Sequence, residues 1–383
     1  MSAGARCLWS VVCGLLLAGA PLAVRCLHAA ATLAQLTGSP LPETLSRSLA
    51  PEVTVTTLPV PTPRGALRAH RYRPQPAPAG PVPGVVLLHG VHARGIDEAR
   101  LRAFATTLAR AGLDVLTPEL PELLAYRLEP ITVGRIRELA AAHAAAVRQA
   151  AVGVIGISFA GGLALMAAAE QAADRPIGAV MTLGAHHDLL RLCRFYTGRE
   201  VRGPLGEPAG TAPHPYGARV LLREHLDRLV GAADLPLAQR ALDLYLRDDH
   251  TAARRMALQL SASGREVMAV VLGPDSSEVL SRWVGETCDH TQSQLSAASP
   301  RGHLRGLMVP VFLLHGARDP IIPSVETRFL ARELSRPWLR AAVVSPLLRH
   351  AEFPEAPAWR DTWELVRFVQ HFFDAAGSSA RLR

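Results

Sequence analysis

Ser158, Asp319 and His350 are the residues of this 383-residue chain around which chemistry could be organised. A serine hydroxyl is a weak nucleophile until an imidazole takes its proton. The imidazole in turn needs a carboxylate to fix its tautomer and stabilise its charged form. Each of the three follows a short apolar run in the chain: Ser158 comes after 152–157, Asp319 after 309–314, and His350 after 341–345. In a parallel sheet, residues just past the strand ends share one edge, so the three can converge although they are far apart in sequence.

The serine's own setting is Gly156-Ile157-Ser158-Phe159-Ala160-Gly161. Residues 152–157 read as a buried β-branched strand, and the Ala/Leu-rich stretch 159–169 as a buried helix. A serine at so tight a strand-to-helix turn projects its hydroxyl above the sheet edge, and the Phe159 N–H falls at a helix N-terminus where it can stabilise an oxyanion. Ala160 stands where a second glycine would complete G-x-S-x-G, and its methyl needs room from the facing strand. The bland alternative is an ordinary turn whose serine caps the helix. A second oxyanion donor is expected from His89-Gly90-Val91-His92-Ala93-Arg94-Gly95, with Val91 N–H the choice, because a glycine past a strand end lets backbone approach a ligand. His89 itself reads as a hydrogen-bonding prop for that loop. Asp188, after 177–183, competes with Asp319 for the role of acid. His186, His187 and Asp188 with His92 could instead ligate a metal, but adjacent histidines on one turn rarely face a single ion, so no metal is assigned.

The elements that must position these groups follow from periodicity. Residues 53–60 and 66–72 alternate like an antiparallel hairpin, and 73–84 reads as a Pro/Ala/Gly loop. Strands are expected at 85–88, 113–117, 152–157, 177–183, 309–314 and 341–345, alternating with helices at 97–111, 131–147 and 159–169, one opened by Pro323, and 359–373. Such alternation implies a mostly parallel, doubly wound sheet flanked by helices. Residues 189–306 break the rhythm, with helices suggested at 216–230, 235–247, 250–260 and 276–284 and no good strand before any of them. This is best explained as a helical cap over the strands' carboxyl ends. Leu222, Leu226 and Leu229 give one cap helix an apolar face, read as the cap's own small core or as a pocket lining.

Composition narrows the function classes. Hydrophobic residues make up 49% of the chain, enough for a sizeable core. The net charge of +8 comes from arginines scattered without a basic stripe, so nucleic acid is not an expected partner. Among the five cysteines there is no C-x-x-C spacing; Cys193 and Cys288 could pair in an oxidising compartment or remain buried thiols. Residues 8–24 form an apolar run whose helical length, roughly 25 Å, falls short of a ~30 Å hydrocarbon core. Residues 1–31 are therefore read as a signal peptide or membrane anchor and 32–51 as a linker, which places the catalytic domain outside the cytoplasm, tethered or released; a cytoplasmic enzyme with a non-functional leader is the alternative.

Taken together, the His89-Gly90 loop, the 156–161 elbow, His315-Gly316-Ala317-Arg318-Asp319 and the late His350 resemble the α/β-hydrolase superfamily over residues 52–375, with 189–306 in the cap position. The resemblance implies Ser158 as nucleophile, His350 as general base and then acid, and Asp319 as the orienting carboxylate. It implies no cofactor and a serine hydrolase acting on a small-molecule ester or acyl substrate, with ester cleavage ranked ahead of amide cleavage, by way of an acyl-enzyme. An acyltransferase on the same triad, or a non-catalytic binder that keeps the fold, are the alternatives.

Overall fold

Each inner strand divides its side chains between two cores. In β3 (Gly84–Leu88), Val86 and Leu88 face one apolar cluster while Val85 and Leu87 face the other; in β7 (Val311–Gly316), Val311 and Leu313 oppose Phe312 and Leu314. Strands buried on both faces read as continuous apolar runs and need helices above and below. The computed structural model describes residues 52–76, 82–171, 174–273, 278–346 and 359–379, the last with backbone only at 359–364, 366, 378 and 379. The leader, the linker and His350 lie outside the described residues.

The remaining strands are β1 (Glu52–Val60), β2 (Leu67–Gln75), β4 (Asp114–Pro118), β5 (Val152–Ile157), β6 (Ile177–Leu183) and β8 (Leu339–Ser345). They form one sheet in the order β1-β2-β4-β3-β5-β6-β7-β8. The β1–β2 and β2–β4 pairs are antiparallel and all others parallel. The expected loop at 73–84 begins later than the sequence suggested, because β2 continues to Gln75 opposite Glu52. Pro74 is tolerated there since β4 pairs with β2 only through residues 69–72, so no neighbour awaits the missing N–H.

The helices are α1 (Ala99–Arg110), α2 (Pro121–Leu124), α3 (Ile131–Val147), α4 (Phe159–Ala169), α5 (Leu189–Tyr196), α6 (Pro215–Arg223), α7 (Leu235–Leu246), α8 (His250–Ala257), α9 (Ala262–Val271), α10 (Glu278–His290), α11 (Gln292–Ala297), α12 (Val325–Glu333) and α13 (Trp359–Ser379). Helix α1 starts later than its periodicity suggested because the Glu98 carboxylate accepts the Leu101 N–H and caps it there. Helices α1 and α13 cover one face of the sheet, where Phe312, Phe368 and Phe372 pack edge to face. Gly153 admits α13 closely: a Cβ there would lie 3.1 Å from Phe372 Cζ. Helices α3, α4 and α12 cover the other face.

The 189–306 insertion is helical, as expected, but α5, α9 and α11 were not read from sequence, and the helix expected over 216–230 stops at Arg223 and resumes as a 3-10 turn at Leu226–Arg228. Leu222 and Leu226 are buried in the same continuous cluster that covers the sheet, so the cap does not keep a separate core. Two further ties hold the cap. Cys193 on α5 and Cys288 on α10 form a disulfide, and the buried Arg219 guanidinium donates to the Val271 carbonyl at 2.7 Å. No helix among the described residues is long and apolar enough to cross a membrane.

Candidate active site

Ser158 follows β5 with φ 57° and ψ −132°, a conformation that costs any residue with a Cβ. Its N–H donates to the Leu183 carbonyl at 2.7 Å, and its hydroxyl makes no capping bond to α4, so the capping alternative is not what the turn builds. The turn closes because two glycines touch. A Cβ on Gly156 would lie 2.5 Å from Gly161 Cα, and one on Gly161 would lie 2.8 Å from Ala185 Cβ. The position that must be bare is thus Gly161, and the Ala160 methyl, one residue earlier, packs fully buried in the core.

A mixed eight-stranded sheet in this order, with a positive-φ serine elbow after β5 and a helical insertion between β6 and β7, has one name. This is the α/β-hydrolase fold. No protein-family model matches the chain, and no curated protein matches it in sequence. Among solved structures, an acylaminoacyl peptidase from Pyrococcus horikoshii shares 11% identity over 86% of this chain and 42% of its own, with a TM-score of 0.49. A 2-hydroxy-6-oxo-6-phenylhexa-2,4-dienoate hydrolase from Rhodococcus sp. strain RHA1 shares 17% over 84% of this chain and all of its own, at 0.42. A puromycin-hydrolysing peptidase from Mycobacterium tuberculosis shares 16% over 86% of this chain and 40% of its own, at 0.47. The chain therefore spans about two fifths of the length of either peptidase. At such identities the fold rests on the topology and the elbow described above.

At the α/β-hydrolase sheet's carboxyl edge, a cleft is lined by Ser158 together with Gly90, Val91 and His92 from the loop after β3, Leu183 and Gly184 at the end of β6, Gly316 at the end of β7 and Pro320 from the loop after it. The cap contributes His214, Tyr216, Leu246 and Asp248. Ser158 and Asp319 flank the same strand end. Ser158 bonds to Leu183, and Gly184 is so close to Asp319 that a Cβ there would lie 3.2 Å from Asp319 Oδ2. Gly184 has φ 66°, a second reason for glycine at this point.

Asp319 is fully buried, and its Oδ1 accepts the N–H groups of Ile321 and Ile322 at 2.8 and 3.0 Å. His315 holds the same turn from beneath: its Nε2–H donates to the Ile322 carbonyl, and its Nδ1 accepts from the Thr327 hydroxyl, both at 2.7 Å. The competing Asp188 is committed elsewhere. One carboxylate oxygen accepts the Leu190 N–H as the cap of α5 and the other takes the Arg301 guanidinium at 2.8 Å. The neighbouring histidines are separately engaged as well. His186 Nε2–H donates to the Ala298 carbonyl, His187 Nε2 meets Glu333 at 2.7 Å, and His92 Nδ1 accepts the Arg94 N–H. Among the described residues no group of three or more His, Cys, Asp or Glu is arranged to hold a metal ion.

His89 is the prop the sequence suggested. Its Nε2 accepts the Leu120 N–H at 3.0 Å, which leaves the proton on Nδ1, and Nδ1–H donates to the Gly90 carbonyl at 2.7 Å. Burial lowers its pKa to about 4, so the ring stays neutral and keeps that tautomer. By holding the carbonyl of the Gly90–Val91 peptide, His89 turns the Val91 N–H the other way, since C=O and N–H of a trans peptide oppose each other. Neither Val91 N–H nor Phe159 N–H has an acceptor among the described residues. Tyr216 and His214 were not foreseen as parts of the site. Their only sequence signal is the Pro215 that fixes the start of α6, and proximity to the cleft comes from how the cap docks.

Proposed function

We propose that this protein is a serine hydrolase that cleaves a carboxylic ester through an acyl-enzyme. The observation that carries the reading is Ser158 itself, held at positive φ at the end of β5, beside Gly90 and on the same strand end as the buried Asp319. A hydroxyl without a capping partner, placed in a strained turn at a cleft, is what a nucleophile requires. His350, which follows β8 in the chain, is the base we assign, with Asp319 orienting it.

In the first half-reaction His350 takes the Ser158 proton while Oγ bonds to the substrate carbonyl carbon. The oxyanion that forms is stabilised by Phe159 N–H and Val91 N–H. Collapse breaks the ester C–O bond, and His350 returns the proton to the departing alcohol. Water, deprotonated by His350, then releases the acid and restores Ser158. Turnover of short- and medium-chain 4-nitrophenyl esters by the full chain, abolished in Ser158→Ala at unchanged stability, is the expected result. Equal turnover in both would remove the assignment, and turnover only with an added alcohol acceptor would make the protein an acyltransferase instead.

We infer that the enzyme acts outside the cytoplasm. The Cys193–Cys288 bond supports this, since structural disulfides persist in oxidising compartments, and the apolar run at 8–24 supplies a route there. Fractionation of a C-terminally tagged chain, with sequencing of its mature N-terminus, tests it. A full-length chain recovered from the cytoplasm would count against export.

A further inference from the structure

We propose that Tyr216, on the cap, is a positioning residue for the oxyanion donor Val91, so that the docked cap completes the site rather than merely covering it. This rests on the serine-hydrolase reading of the site and adds to it a part for the cap.

Val91 lies between two peptide groups, and each carbonyl is held from a different side. The Gly90 carbonyl is held from the core by His89. The Val91 carbonyl accepts the Tyr216 hydroxyl at 2.9 Å from the cap. Gly90 gives the loop backbone freedom, so one anchor leaves the Val91 N–H able to swing, whereas two fix the peptides on both sides of its Cα. Tyr216 keeps its proton for this bond, because burial pushes its ionisation upward.

Tyr216 is in turn fastened to the acid's side of the cleft. Its own N–H donates to the His214 ring at 3.2 Å, and the His214 N–H donates to the carbonyl of Pro320, the residue after Asp319, at 2.7 Å. Next in the chain, Gly217 lies against the Tyr196 ring so closely that a Cβ would sit 2.3 Å from Cζ, and the Tyr196 hydroxyl donates to the Ile321 carbonyl at 2.7 Å. Residues 214–217 therefore form a strap from the turn that holds Asp319 to the loop that carries Val91. Its effect belongs to the transition state, since an aimed N–H matters most when negative charge develops on the substrate oxygen.

The test is Tyr216→Phe in the full chain, which removes one oxygen and keeps the ring. Loss of a whole oxyanion donor costs about 10²–10³ in kcat; loss of its positioner should cost roughly tenfold or more, with KM within about twofold of wild type. A trifluoromethyl ketone, which adds to the serine and forms an oxyanion, should bind weaker by the same factor as kcat falls, while the matching methyl ketone binds as before. Retention of kcat, or equal weakening of both ketones with the loss confined to KM, would overturn the proposal. Fluorophosphonate labelling of wild type separates this from the parent reading. Label on Ser158 with an unaffected Tyr216→Phe variant sinks only the positioning role, whereas wild type that takes no label on Ser158 sinks both.

Discussion

Replacing Ser158 by glycine should leave the protein more stable than replacing it by alanine, the reverse of the usual order inside a helix or strand. At φ 57° and ψ −132° any residue with a Cβ is strained, by about 1–3 kcal/mol for conformations of this kind. Alanine keeps the Cβ and the strain. Glycine removes it but gives back about 0.5–1 kcal/mol through the greater freedom of its unfolded chain. The net advantage of Ser158→Gly over Ser158→Ala is therefore roughly 0–2.5 kcal/mol, with about 1 at the centre of the range. Ser158→Ala should match wild type, because the serine hydroxyl makes no bond to α4 that alanine would lose. Equilibrium unfolding in urea of the three proteins, at one pH and without reductant, reads the difference as a shift in midpoint at constant slope. An alanine variant more stable than the glycine variant by the ordinary ~0.5–1 kcal/mol would show that the turn is unstrained and that the elbow reasoning is wrong.

Three further outcomes are expected. Asp319→Asn should lower kcat by about four decades, the cost of a wrong imidazole tautomer in serine protease triads, while Asp188→Asn loses its Arg301 pair, keeps the cap because an amide oxygen still accepts the Leu190 N–H, and keeps most activity; kinetics of the two variants showing the opposite pattern would exchange the acids. His89 and His186 are both lowered to about 4 by burial, so between about pH 6.5 and 4 the unfolded chain binds more protons than the folded one. Stability should then fall as pH drops through that window, by up to ~1.4 kcal/mol per unit for each imidazole, and a flat urea midpoint from pH 7 to 5 would contradict their neutral burial. Reduction of Cys193–Cys288, which closes a sequence separation of 95 residues, should cost about 2–5 kcal/mol, and an unchanged midpoint with dithiothreitol, after mass spectrometry has shown the bond broken, would refute that contribution.

The sheet was legible because strands buried on both faces must be continuous apolar runs, and 85–88, 152–157, 177–183 and 309–314 are such runs. The elbow was legible for a related reason. Gly156 and Gly161 are needed by a contact local in sequence, although which glycine mattered was not, since the missing Gly at 160 is made unnecessary by the bare Gly161. The cap was harder to read. Helix α9 buries only Gly264, Met268 and Val271 fully, with Val267 and Val270 half-buried beside them, and no glycine or proline marks the end of α6 at Arg223. The alternative acid Asp188 could not be dismissed from sequence, because its partner Arg301 lies more than a hundred residues away. For the same reason Tyr216 was invisible: the Val91 carbonyl it meets lies 125 residues earlier in the chain.

The central claim, that Ser158 is the nucleophile of an acyl-enzyme, is tested most directly by treating the full-length protein with a fluorophosphonate and mapping the adduct by peptide mass spectrometry. The account predicts a single modified site, Ser158, in the peptide that joins β5 to α4, with labelling lost in Ser158→Ala and slowed by orders of magnitude in Asp319→Asn and His350→Ala. An adduct on another serine, or labelling of Ser158 at the same rate in all three backgrounds that retain it, would contradict the claim.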